Sequence, residues 1–136
     1  MISGALLLTI AAGSIYGKSV SSYTESEPDV VGTFSMNRDE NLTVVANREQ
    51  IEDKVAFARE LLQMYKDNSF YSTKFSTDRG YATSLDMNIY LWKEDIEDGA
   101  SVMTAEYRPV EYGKDYDVVN NPDKFELYID GKEVKE

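Results

Sequence analysis

The sequence predicts an α+β fold: an N-terminal hydrophobic helix, then a small domain of one amphipathic helix packed on an antiparallel meander sheet. Three observations support this prediction. Residues 2–17 carry no charge and are mostly apolar, apolar residues recur at helical spacing between residues 51 and 65, and they alternate with polar residues after that stretch. One helix on one sheet buries the apolar side of both elements, which is the usual construction of a small α+β domain.

Residues 1–18 predict a signal anchor or a secretory signal peptide. The apolar stretch lies just below the ~17 residues that a membrane-spanning helix needs, whereas Ile2–Ile10 fits the apolar core of a signal peptide. Ala12 and Ser14 have the small side chains that would permit cleavage before Ile15. No basic residue precedes the apolar stretch, so the sequence leaves open a retained anchor, a cleaved signal, a buried core helix and an upstream start.

Residues 19–29 are rich in hydroxyl and acidic side chains and predict a polar acidic linker. Residues 30–136 then predict an extracytoplasmic α+β domain, whose ~105 residues suit one hydrophobic core. This domain is expected to open with a hairpin of Thr33–Met36 and Leu42–Ala46, because β-branched residues are concentrated in the second segment.

The helix is predicted to cover about Arg48–Asp67. Asn47 is a suitable N-cap, Gln50 completes a capping box three residues later, and Asn68 suits the position after the last turn. Phe57 falls outside the predicted buried stripe. That stripe comprises Ile51, Val55, Ala58, Leu61, Leu62 and Tyr65.

After the helix the apolar period changes to two, first over residues 70–76 and then in a meander. The predicted meander strands are Thr83–Trp92, Ser101–Val110, Phe125–Ile129 and Lys132–Val134. Asp130-Gly131 predicts a two-residue hairpin turn between the last two strands. This order of hairpin, helix and meander resembles cystatin-like and nuclear-transport-factor-like architectures, in element order and in no motif.

Composition excludes several chemistries. The chain has no Cys and no His, so it forms no disulfide or thiolate metal site and lacks the commonest general base. A net charge of −11 argues against nucleic-acid binding through a basic face. No glycine-rich phosphate loop is present. We therefore expect a protein that is not an enzyme and binds no nucleic acid.

Tyrosine supplies the first candidate site. Leu85, Met87 and their alternating neighbours would face the helix, which places Tyr90, Trp92 and Tyr128 on the opposite side of the sheet. Aromatic side chains are enriched at protein interfaces, so these three predict a binding face. The alternative is that they serve only as strand formers, or that another part of the chain covers them.

The acidic turn at residues 94–98 supplies a second candidate, a calcium site with Asp95, Glu97 and Asp98 as ligands. Its spacing does not match an EF-hand loop, and a solvated turn is the alternative. We expect no cofactor, with Ca²⁺ at this turn as the exception.

These observations favour a non-catalytic binding or assembly module of a bacterial cell envelope. It would act at the extracytoplasmic side of the cell membrane or after secretion, with a protein partner and with residues 1–18 in contact with the membrane. One alternative is an acidic inhibitor or immunity-type protein that docks on a basic partner. Another is a small nuclear-transport-factor-like ligand-binding domain or hydrolase. The sequence leaves open the partner's identity, the membrane orientation and the oligomeric state.

Overall fold

A computed structural model describes residues 24–135 of the chain. The predicted anchor or signal peptide (1–18) and the first part of the predicted linker (19–23) lie outside the described residues. Within the described part, no helix combines the length and the apolarity needed to cross a bilayer.

The described residues form a six-stranded mixed sheet with one main helix, which confirms the α+β class. The strands are β1 (Asp29–Met36), β2 (Asp39–Val45), β3 (Ser84–Tyr90), β4 (Met103–Pro109), β5 (Phe125–Ile129) and β6 (Lys132–Glu133). The helices are α1 (Lys54–Asp67) and the short α2 (Asp95–Asp98), with a 3₁₀ turn at Pro122–Lys124. The strands lie side by side in chain order.

The prediction of an antiparallel meander is correct for β3 to β6 and incomplete for the whole sheet. The hairpin of β1 and β2 belongs to the same sheet, because β2 pairs with β3 in parallel over its full length. Parallel neighbours need a long crossover connection, and α1 provides it by returning the chain to the end of the sheet where β2 began. The helix therefore connects the two halves of the sheet as well as covering it.

The helix begins six residues later than predicted and ends where predicted. Asp53 is the N-cap, and its Oδ1 accepts a hydrogen bond of 3.0 Å from the Ala56 N–H. Asn47 has a left-handed backbone with φ of 60°, and its N–H donates to the Leu91 carbonyl at 2.8 Å. An N-cap residue usually has an extended backbone, so the left-handed Asn47 does not start the helix. At the other end, Asn68 adopts the left-handed cap conformation, with φ of 54°.

The helix buries a face slightly rotated from the predicted stripe. Its buried residues are Phe57, Ala58, Leu61, Leu62 and Tyr65. Phe57, predicted to lie outside the stripe, forms one border of this face, and Leu62 forms the other. Val55 is only half-buried. The face packs on the buried side of the sheet, where Leu42, Met87 and Ile89 are almost fully enclosed.

The two-residue period of residues 70–76 does not form a strand. Two rings of this segment pack on the core while Tyr71 is exposed: Phe70 is fully buried, and the ring centroid of Phe75 lies 4.9 Å from that of Tyr65. The side chain of Asn68 holds this loop by accepting from the Phe75 N–H at 2.8 Å and donating to the Phe75 carbonyl at 3.1 Å. These bonds replace the strand pairing that the sequence pattern suggested.

The last hairpin agrees with its sequence signal. Asp130 and Gly131 both have positive φ, 52° and 84°, as the tight turn between β5 and β6 requires.

At the other end of the chain, part of the predicted linker contacts the domain. Pro28 is buried, and the Ser26 N–H donates to the Asn47 carbonyl at 3.1 Å.

Candidate functional site on the polar face of the sheet

The candidate site is the side of the sheet opposite α1, which we term the polar face. Because successive side chains of a strand point to opposite sides, the residues between the core positions project here. The polar and aromatic side chains of this face are Asp39, Asn41, Thr43, Ser84, Asp86, Asn88, Tyr90, Thr104, Glu106, Arg108, Glu126, Tyr128 and Glu133. Phe34 and Met36 extend it at the β1 edge.

A single row of paired residues crosses the middle of the polar face. Asp86 on β3 lies directly opposite Glu106 on β4, and Glu106 lies opposite Tyr128 on β5. In the other direction, Asp86 pairs with Asn41 on β2, which pairs with Phe34 on β1. The row therefore joins an exposed apolar side chain at one end to a tyrosine at the other, with two carboxylates between them.

Arg108 organises the Tyr128 end of this row. Its Nη2 donates to Glu106 Oε1 at 2.5 Å, and this bond raises the pKa of the guanidinium above its usual value. The guanidinium carbon also lies 4.3 Å from the centroid of the Tyr128 ring. A charge-assisted hydrogen bond and a cation–π contact thus fix the same side chain. Arg108, Glu106 and Tyr128 form one pre-ordered cluster.

Asp86 lies next to this cluster and outside its bonds. Burial, and then the charge of Glu106, raise the pKa of the Asp86 carboxyl, while Arg108 opposes the shift. Arg108 bonds to Glu106, whereas the carboxylate of Asp86 makes no hydrogen bond or ion pair with any of residues 24–135. Two like charges directly opposite each other destabilise a strand pair. The centre of the polar face therefore carries a carboxylate without a counter-charge bonded to it.

The three aromatic residues predicted to share a binding face are placed differently. Tyr128 lies in the central row, and Tyr90 is half-buried four residues along β3 from Asp86, about 13 Å away at the usual rise per residue. Trp92 follows the end of β3 and is only 8% exposed, with its backbone N–H donating to Asp95 Oδ2 at 3.2 Å. The structure thus brings Tyr128, and not Tyr90 or Trp92, into the central cluster.

Sequence reasoning did not single out Phe34 and Met36. They are 62% and 63% exposed, on the outermost strand of the sheet. Their position on the polar face depends on an irregularity in β1 between Val30 and Gly32, which shifts the register of the residues that follow. The alternation of Phe34 and Met36 with polar neighbours was the available signal.

The acidic turn has a local structural role. Asp95 and its neighbours form α2, and the carboxylate of Asp95 accepts the backbone bond from Trp92. Among residues 24–135, no group of three or more metal-ligating side chains is arranged to hold a metal ion. In this part of the chain, Asp95, Glu97 and Asp98 are thus not grouped as ligands of one calcium ion.

A second acidic surface lies at the start of α1. It is an open groove of about 780 Å³. The carboxylates in its lining are Glu25, Glu49, Glu52, Asp53 and Glu60. Arg48 is the cation of this groove, and its guanidinium lies 4.7 Å from the Phe57 ring centroid and 3.9 Å from Glu60 Oε2. The acidic side chains of the domain are thus divided between at least two surfaces.

Comparisons with protein-family models, curated proteins and solved structures gave no match to this chain.

Proposed function

We propose that this chain is a non-catalytic binding or assembly module of a bacterial cell envelope that recognises a protein partner through the polar face. The observation that carries the proposal is the ordered cluster of Arg108, Glu106 and Tyr128 on β4 and β5, which shares the polar face with the exposed Phe34 and Met36 of β1. The extracytoplasmic location is supported by the apolar residues 1–18 of the sequence, as a retained anchor or a cleaved signal.

The composition of the polar face suits protein recognition. Tyrosine and arginine are the residue types that most often dominate binding energy at interfaces. Arg108 and Tyr128 already hold each other in place, so a partner would not have to restrict their motion again on binding. The face therefore offers polar anchoring groups at low entropic cost.

The β1 edge adds an apolar contact. Phe34 and Tyr128 stand at opposite ends of the central row, four strand spacings apart, which corresponds to about 19 Å. A partner that contacts both would cover the carboxylates between them. Exposed large apolar side chains next to a polar surface are typical of the rim and core of a binding site.

Photocrosslinking tests the docking surface. A photoreactive amino acid is placed in the full chain at Phe34 or Asn88 on the polar face, and at Gln63 on the exposed side of α1 as a control. We expect one discrete crosslinked protein from the polar-face positions in envelope-containing cells and none from Gln63. Equal products from all positions, or no product from the polar face, would contradict the proposal.

The acidic groove favours a second candidate function, an inhibitor or immunity-type protein docked on a basic enzyme. Its carboxylates surround one arginine and leave the groove negative overall. A photoreactive residue at Glu49 distinguishes the two candidates. A crosslink from Glu49, with none from Phe34 or Asn88, would favour the groove.

The ligand-binding or hydrolase alternative would need a cavity between α1 and the sheet. In the structure Leu61, Met87 and Ile89 fill that space and are at most 1% exposed. No observation therefore favours it.

Fractionation and intact mass spectrometry of the full chain expressed in a bacterium test the location. An intact chain that only detergent extracts supports a tethered module, and a soluble product that begins near Ile15 supports secretion. An intact and fully soluble chain would contradict both.

A further inference from the structure

The chemistry of the central row indicates what kind of group the partner presents. Opposed residues on neighbouring antiparallel strands have Cβ atoms about 4.5–5.5 Å apart, so the carboxylates of Asp86 and Glu106 are within reach of one small group. Arg108 is bonded to Glu106 and stacked on Tyr128, and it does not bond to Asp86. A group that complements the unbonded carboxylate of Asp86 would therefore carry a positive charge.

The charge of the whole face agrees with that conclusion. Arg108 is the one cationic side chain among the polar-face residues defined above. The carboxylates of the polar face are those of Asp39, Asp86, Glu106, Glu126 and Glu133. Asp39 is already bonded to the hydroxyls of Thr83 and Ser84, at 2.7 and 2.9 Å. Asp86 is therefore the carboxylate at the centre of the face that is best placed to receive a cation.

The surroundings of Asp86 favour a side-chain cation of a protein. Among residues 24–135, no three or more acidic side chains are grouped to hold a metal ion, whereas a lysine or arginine needs only one or two carboxylate oxygens. Phe34 lies two strands away in the same row, about 10 Å from Asp86. An extended segment presents residues two or four positions apart on the same side, about 7 or 13 Å from each other, and these spacings bracket that distance.

We propose that Asp86 and Glu106 receive a lysine or arginine side chain of a basic protein partner, while Phe34 contacts an apolar residue beside it. This inference rests on the proposed function of the polar face as the docking surface. The cation would neutralise the opposed carboxylates that the isolated domain leaves next to each other. The partner is accordingly a protein segment with positive charge, and its attraction to the domain should weaken as salt screens it.

Titration with the peptide octalysine tests the inference, by calorimetry and by nitrogen–proton NMR spectra of the full chain at low ionic strength. The test variant is Asp86→Asn with Glu106→Gln. The control variant is Glu49→Gln with Glu52→Gln, which removes the same charge from the groove. We expect the Kd for octalysine to rise about tenfold or more in the test variant and about twofold or less in the control.

Three results would overturn the inference. They are an unchanged Kd in the test variant, an equal loss in both variants, and failure of octalysine to bind the unmodified chain. The single variant Asp86→Asn keeps the Arg108–Glu106 bond and guards against a loss of folding in the double variant. Its thermal unfolding midpoint should not fall, and it should still bind octalysine more weakly than the unmodified chain does.

Crosslinking separates this inference from the proposed function. If the crosslink from Asn88 persists in Asp86→Asn with Glu106→Gln at undiminished yield, the polar face is the docking surface and the cation inference is wrong. If no polar-face crosslink forms even in the unmodified chain, the proposed function itself fails.

Discussion

The two faces of the sheet are stabilised by different means, although they alternate along the same strands. On the side of α1, side chains such as Met87 and Leu61 are enclosed by other apolar groups, and no polar or charged side chain is buried among the described residues. On the polar face, Glu106, Arg108 and Tyr128 are held by pairwise contacts and remain partly exposed. Asp86 and Met87 are adjacent in sequence and belong to these two different environments.

Because of this difference, the stability of the fold depends mainly on the apolar side of the sheet, and the polar face can vary with little effect on it. Removing atoms from a densely packed apolar core lowers the free energy of unfolding, whereas most substitutions on a partly hydrated surface change it little. The domain can therefore keep a strained group such as Asp86 on the polar face without losing its fold. Four comparisons between pairs of variants test this contrast, in order of decreasing expected effect.

The first compares one residue from each side. Leu61→Ala removes a fully buried side chain and should lower the free energy of unfolding by about 2–5 kcal/mol, because it leaves a cavity. Asn88→Ala on the polar face should change it by less than about 0.5 kcal/mol. Urea denaturation of the full chain measures both. Similar losses would show that the polar face also belongs to the core.

The second tests a polar contact within the apolar side. The Tyr65 hydroxyl accepts a hydrogen bond of 2.9 Å from the Ala82 N–H, and burial raises the pKa of this tyrosine. Tyr65→Phe leaves the buried N–H without a partner and should cost about 1–3 kcal/mol of unfolding free energy. Tyr71→Phe is the control, since Tyr71 is 92% exposed. Equal effects on the denaturation midpoint would argue against the Tyr65 bond.

The third tests where the covering helix starts. Asp53→Ala removes the N-cap and should cost about 1 kcal/mol, whereas Gln50→Ala should cost less than about 0.5 kcal/mol. A larger loss in Gln50→Ala would favour the capping box predicted from the sequence. Thermal unfolding followed by circular dichroism distinguishes the two results.

The fourth comparison concerns a substitution that should raise the free energy of unfolding instead of lowering it. Burial and the charge of Glu106 raise the pKa of Asp86, so the folded state binds a proton more tightly than the unfolded chain does. The cost of ionising Asp86 is therefore absent well below its unfolded pKa, increases between the unfolded and the folded pKa, and is complete above the folded pKa. Asp86→Asn should stabilise the domain by about 0.5 kcal/mol at pH 7 and have no benefit in strong acid. Denaturation midpoints at several pH values measure this, with Asp78→Asn on an exposed turn as control.

The sequence predicted those features that depend on short segments. The alternation of Leu85, Met87 and Ile89 set the faces of β3, Asp130-Gly131 set the last turn, and Asn68 set the end of α1. Each of these signals acts within a few residues, where local conformational preferences decide the structure.

The structural features that the sequence did not predict depend on contacts between residues far apart in the chain. Asn47 and Asp53 are both suitable N-cap residue types, but Asn47 has a left-handed backbone and is bonded to Leu91, Ser26 and Glu27, all distant in sequence. The parallel pairing of β2 with β3 has no local signature either. The Arg108 cluster needs the register of β4 against β5, which is set across the long loop of residues 110–124.

The parallel pair also has a consequence for how the chain folds. It joins Asp39 to Ser84, which are 45 residues apart, while β1–β2 and β3–β6 each pair through neighbouring segments. Local hairpins close in microseconds, and pairing across a long loop must first overcome the entropy of closing it. We expect the hairpin and the meander to form early and to remain separate until α1 brings them together. Amide hydrogens at the β2–β3 seam should then be the last to gain protection from exchange during refolding.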